Sequence, residues 1–158
     1  MHLRALSKYP FFKIVLTSNA TTLDHPGVQA GLHTLTPQDE MWLKLDAGTR
    51  DYFDRIDRST VPFEKVLENI LKLGRQRPIV IQSLFARFNG EEPPSEEIDQ
   101  FVARLRELKE AGARISLVQI YSAMRPTMHP ECGHLPLKTL SRIAHTVHTG
   151  TGLQVEVY

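Results

Sequence analysis

Apolar runs of strand length alternate along this chain with segments of helical period. Phe11 to Ser18 reads as a strand that stops at Asn19. After a polar turn, the spacing predicts a short helix over about Pro26–Leu35. Met41 to Asp46 is a second strand, in "WLKLDAGT". Thr49 to Arg58 reads as one short helical stretch. Pro62 to Leu73 is a fuller helix, with Pro62 at a first helical position. Its face is Phe63, Val66, Leu67, Ile70 and Leu71, and Gly74 suits its C-terminal cap. Ile79 to Phe85, "IVIQSLF", is a third strand rich in β-branched residues.

"NGEEPPS" is loop chemistry. Ser95 then suits the cap of a long helix with Glu96 and Glu97 in its first turn, where the helix dipole favours negative charge. Ile98, Phe101, Val102, Leu105 and Leu108 form its apolar face, and Gly112 ends it. Ile115 to Ser122 is the fourth strand. "MRPTMHPECGHLP" is a long loop. Leu137, Leu140, Ile143, Ala144 and Val147 share one face of a last helix, and "LQVEVY" alternates as a short final strand. The order β-α-β-α-β-α-β-α-β defines an α/β fold with a parallel sheet covered by helices. Periodicity alone leaves open whether that sheet is flat or curled toward a barrel. No repeat, low-complexity tract or linker divides the 158 residues, which read as one domain.

Composition narrows this picture. The chain is 41% hydrophobic, and 19 basic against 18 acidic residues give a net charge of +1. That suits a globular protein and gives no argument for nucleic acid or an anionic membrane as partner. Arg50, Arg55, Arg58, Lys72, Arg75 and Arg77 are interleaved with acids, as on a solvated face. No apolar run nears the roughly 18 residues of a membrane-spanning helix, and the opening residues lack a signal-peptide layout. The expected compartment is the cytoplasm. A single cysteine, Cys132, excludes an internal disulfide and fits a reducing environment.

In parallel α/β proteins ligands bind at the carboxyl ends of the strands. Four strand ends here carry polar groups. They are Asn19, the same-face pair Lys44 and Asp46, then Gln82 and Ser83, then Gln119 and Tyr121 with Ser122 on the opposite face. An Asp at such an edge accepts from a ribose diol or an ammonium group, and a Lys meets a carboxylate. The plainer alternative is that Lys44 and Asp46 pair with each other or cap loops. A second cluster, His129, Cys132 and His134 with His145 and His148, has ligand atoms for zinc but matches no zinc spacing. Nothing in the sequence marks Cys132 as an activated nucleophile. Glycine-rich phosphate loops are absent.

"KIVLTSN", "WLKLDAGTRDYFDRIDR", "FEKVLENILKL", "IVIQSLF" and "LVQIYSAMRPT", in that order, resemble the latter part of radical S-adenosylmethionine iron–sulfur oxidoreductases. Within them the chain is most similar to the branch of wybutosine-synthesis-type and glycyl-radical activating enzymes. The resemblance runs from about Phe12 to the end, and "KLDAGT" and "VQIYSAMRP" are its more specific pieces. It implies strands three to six of a partial (β/α)6 barrel, with S-adenosylmethionine and a [4Fe-4S] cluster at the strand ends. By it, Asn19 ends the third family strand. Lys44 and Asp46 lie near the ribose or methionine end of the cofactor. Gln82 and Ser83 lie on the fifth strand, and Gln119, Tyr121 and Ser122 beside adenine on the sixth. Arg125 matches an "RP" element of unassigned role.

Two family elements have no counterpart here: the Cys-x3-Cys-x2-Cys loop and the Gly-Gly-Glu segment. The expectation is a chain that contributes half of the cofactor cleft and is not catalytically competent alone. The cluster then comes through another segment or a partner. Against this stands a non-catalytic α/β assembly module with a vestigial cleft. Either way, an uncovered first-strand edge predicts a homo-oligomer or a cluster-bearing partner.

Overall fold

The computed structural model describes residues 13–123 and 131–158. Arg125 and His129 lie outside the described residues. Five strands, β1 (Val15–Ser18), β2 (Glu40–Lys44), β3 (Ile79–Leu84), β5 (Ile115–Tyr121) and β7 (Val155–Val157), form one sheet in the order β1-β2-β3-β5-β7. Every pairing in it is parallel. Five helices connect them: α1 (Pro26–Leu32), α2 (Arg50–Ile56), α3 (Phe63–Gln76), α4 (Ser95–Glu110) and α5 (Leu137–Thr151). The remaining strands, β4 (Arg87–Phe88) and β6 (Cys132–Gly133), pair antiparallel in a two-stranded ribbon. The predicted α/β alternation is therefore observed. The ribbon was not legible, because each half is two residues inside a loop-like sequence.

The strand order always steps the same way. Right-handed crossovers that never reverse direction put all the helices on one face of the sheet. The core agrees with this geometry. Met41, Leu43, Ile81, Val118 and Ile120 alternate onto that face and are buried with Val66 and Ile70 of α3, Phe101 and Leu105 of α4, and Ile143 and Val147 of α5. The register Thr17↔Trp42, Trp42↔Val80, Lys44↔Gln82, Gln82↔Gln119 and Leu84↔Tyr121 runs these residues in rows across the opposite face. That face has no helix over it among the described residues. None of the helices among those residues is long and apolar enough to cross a membrane.

Several local expectations change. Pro62 and Pro94 are the N-caps of α3 and α4, without a capping side chain, so Ser95 is a first helical residue rather than the cap. A proline cap sets the entry dihedral without needing an acceptor. Helix α3 runs through Gly74 to Gln76. Gly74 is there for space: a Cβ would lie 2.8 Å from the Ala113 Cβ. Leu137, placed on the apolar face by its spacing, is 66% exposed.

Candidate functional site

Strand β2 carries Lys44 up the uncovered face to the carboxyl edge of the sheet. Its ammonium lies 3.0 Å from Asp46 Oδ2 and donates to the Tyr121 hydroxyl at 2.8 Å. The Leu84 amide donates to Asp46 Oδ1 at 2.7 Å, which ties the end of β2 to the end of β3. Beneath them the Gln82 amide donates to the Gln119 Oε1 at 3.3 Å. Three adjacent strands thus bring five of the eight candidate residues into one cluster. The remaining three stand elsewhere. Asn19 is exposed, its Oδ1 accepting from the Thr21 amide and hydroxyl. Ser83 and Ser122 point to the helix-covered face and are buried. The Ser122 hydroxyl accepts from the Leu135 amide at 2.9 Å, anchoring the segment that enters α5.

Asp57, which the sequence reading did not single out, joins the cluster. It is the C-cap of α2 and bonds to Asp46. One of its oxygens, Oδ2, is buried without a hydrogen-bond partner. Burial, reinforced by the neighbouring Asp46 charge and opposed by Lys44, pushes its pKa up to about 7. A signal for it did exist. An acid at a helix C-terminus sits at the negative end of the dipole, where its charge is disfavoured. Burial works against the Lys44 charge too, but Asp46 and Tyr121 outweigh it and raise the pKa to about 12.

Arg58, next to Asp57, has left-handed backbone without being glycine, at φ 48°, and so does Ala20 after Asn19, at φ 61°. Such conformations persist where surrounding contacts impose them, often beside functional groups. The imposing contact on Ala20 is the buried Asn69, which donates to its carbonyl at 2.8 Å.

The turn after Asp46 is held from below. Glu97 of α4 is buried; its carboxylate accepts from the Gly48 amide, the Thr49 amide and, at 2.7 Å, the Thr49 hydroxyl. That same hydroxyl caps α2 at the Tyr52 amide. Glu97, read from sequence only as a dipole residue, therefore fixes both ends of the segment that presents Asp46 and starts α2.

The Asp57 shift sets a pH dependence. Its folded pKa lies above the unfolded value, so the folded state binds more protons between about pH 4 and 7, and stability falls as pH rises through that window. Asp57→Asn should be nearly neutral at pH 4. It should stabilise by about 2 kcal/mol at pH 8, after allowance for solvent screening. Chemical denaturation at the two pH values checks this; equal effects at both would refute the assignment.

Among the described residues the histidines form no metal-holding group. His134, His145 and His148 are exposed, and His148 Nδ1 lies 2.8 Å from the Leu153 carbonyl. Among the described residues no group of three or more His, Cys, Asp or Glu side chains could hold a metal ion.

This parallel five-stranded sheet with its connecting helices is an α/β fold similar to the partial barrel of radical S-adenosylmethionine enzymes. Similar solved structures bear this out at the level of fold. A domain of pyruvate-formate lyase-activating enzyme from Bacteroides vulgatus ATCC 8482 matches with a TM-score of 0.64 at 14% identity, over 91% of this chain and 80% of that one. SuiB from Streptococcus suis, bound to S-adenosylmethionine, matches with a TM-score of 0.66 at 13% identity over 91% of this chain. The chain spans about a third of SuiB's length, 32%. No family model and no curated protein matches the sequence.

Proposed function

We propose that this chain supplies half of the cofactor cleft and part of the substrate site of a radical S-adenosylmethionine iron–sulfur oxidoreductase of the wybutosine-synthesis-type or activating-enzyme branch. The observation that carries the proposal is the Lys44–Asp46–Asp57–Tyr121 cluster at the carboxyl edge of the shared fold. Its chemistry fits the cofactor. The partnerless, buried Asp57 Oδ2 is an acceptor awaiting a donor, and S-adenosylmethionine carries a ribose diol and an ammonium group. Lys44 and the Tyr121 hydroxyl offer donors to a carboxylate. Bound there, the cofactor would supply the adenosyl group for radical chemistry. The residues of this chain would bind and orient it. Gln82 and Gln119 would meet its base through their amides.

A [4Fe-4S] cluster does not fit this chain. Three thiolates are required of a Cys-x3-Cys-x2-Cys loop, and the sequence has Cys132 alone. No chemical step is assigned to the chain by itself. The cluster would come from another segment or a partner. The exposed Val15 and Leu16 of the edge strand β1, 40% and 36% accessible, support such a partner or a second copy of the chain.

The same edge favours a second reading, a non-catalytic assembly module, since Lys44, Asp46 and Tyr121 already satisfy one another. Calorimetric titration of the full chain with S-adenosylmethionine separates the two. Saturable binding, weakened at least tenfold in Asp46→Asn while the melting curve holds, is the expected result. The asparagine keeps an oxygen for the Leu84 amide and removes only the charge. No binding, together with a tight oligomer in sedimentation, would make the assembly module the better account.

A further inference from the structure

At the opposite end of the sheet from the Lys44 cluster lies a cavity of about 720 Å³. It sits where β2, β3 and β5 begin, between the end of α1 and the end of α3. Its size is within the range of small-molecule sites, roughly 300–1,000 Å³. One wall is apolar, made by Leu32, Leu35, Met41 and Leu73. The charged lining is less balanced than it looks. Asp39 is buried and already accepts from the Ile14 amide and from the amide and hydroxyl of Thr36. Glu40 is taken by Lys13 and the Trp42 indole. Both acids are thus spent on the protein itself.

The cations are not matched by acids in the same way. Arg77 hydrogen-bonds two backbone carbonyls, of Thr36 at 2.9 Å and Asp39 at 2.6 Å. Those bonds orient the guanidinium without neutralising it. Its Nε is buried with no hydrogen-bond partner among the described residues. Arg114, on the same lining, likewise donates to a carbonyl, that of Arg75. A guanidinium held in place by backbone carbonyls, its charge offset by no acid among the described residues, is prepared for a planar anion.

The geometry points to a second ligand site here, for a small carboxylate with an apolar body. Its head meets Arg77 and Arg114, and its chain lies on the leucine wall. The site is separate from the cofactor edge, and its occupancy does not depend on any reading of that edge.

Octanoate is the probe, with octanamide as its uncharged counterpart. Both are titrated into the ¹⁵N-labelled full chain and followed by amide shifts. The site requires saturable shifts at Leu35, Arg77 and Val80 with octanoate, and at least tenfold weaker response to octanamide. Arg114→Gln should weaken octanoate at least fivefold. Leu35→Trp, which fills the cavity, should abolish the shifts in a chain that still melts cooperatively. Asp46→Asn should leave them unchanged, so failure of the cofactor reading and of this one are told apart. Equal response to acid and amide, shifts centred on Asp46 and Tyr121, or none below 10 mM would each overturn the assignment.

Discussion

Gly48→Ala should lower stability by about 3–4 kcal/mol, and the melting temperature by roughly 10 °C. The reason is a backbone-to-backbone contact. A Cβ on Gly48 would lie 2.1 Å from the Phe101 amide nitrogen and 2.5 Å from the Gln100 carbonyl carbon. Neither atom can rotate away, because both belong to the middle of α4. The helix and the turn are drawn this close by Glu97, one turn earlier, whose carboxylate grips the Gly48 and Thr49 amides. A methyl group therefore either breaks those hydrogen bonds or pushes α4 off the sheet. The second course would also part Phe101 from Phe85, which meet edge to face at 5.2 Å. Gly31→Ala is the matched control, because a Cβ there meets nothing within 4 Å. It lies in the exposed helix α1 and should gain a few tenths of a kcal/mol from reduced unfolded-state freedom. A loss below 1 kcal/mol in Gly48→Ala, measured by chemical denaturation, would mean the turn and α4 are not in contact.

That contact also marks the limit of what the sequence makes legible. "LDAGT" announces a strand end and a turn, since alternation places Leu43 and Leu45 against the helices and Gly48 breaks the run. All five sheet strands and all five helices follow from local period and composition. Five of the eight candidate residues fall together because they share one face of neighbouring strands, and the period of two fixes that face. Position along the strands groups Ser83 and Ser122 with them, although the same period turns both toward the helices. What local pattern does not carry is a partner fifty residues away. Glu97 reads as a first-turn acid, and only tertiary packing turns it into the anchor of the Asp46 turn. Asp57 reads as one charge among several in "DYFDRIDR". Its meeting with Asp46 depends on α2 being only seven residues long, so that its C-cap turns back to the strand edge. The β4–β6 ribbon is likewise a long-range pairing without a local signature.

Lys44→Met should cost about 3 kcal/mol at pH 8 and about half that at pH 5. Among the described residues the ammonium is the only cation bonded to Asp46, a carboxylate just 3% exposed, and it also moderates the charge of Asp57. Methionine keeps the length and apolar bulk of the stem, so the loss reports charge rather than a cavity. The sign of the pH dependence follows from the two titrations. Lys44, held up to about 12, stays charged through the whole range, so its contribution to stability is lost only as pH rises past the unfolded value of 10.5. In its absence the Asp57 carboxyl loses the one neighbour that favours its ionised form, and its pKa climbs further. At pH 5 Asp57 is protonated and bonded to Asp46 with or without Lys44, so only the ammonium's own pairing with Asp46 and Tyr121 is lost. At pH 8 ionisation sets two close carboxylates against each other. Lys44→Met combined with Asp57→Asn should therefore recover much of the pH 8 loss and remove its pH dependence, a non-additivity that a double-mutant cycle reads directly. A Lys44→Met loss that is the same at both pH values, and additive with Asp57→Asn, would mean the three side chains pack together without sharing charge. The cluster would then lack the electrostatic coupling that makes its unfilled Asp57 oxygen an acceptor for a donor from outside.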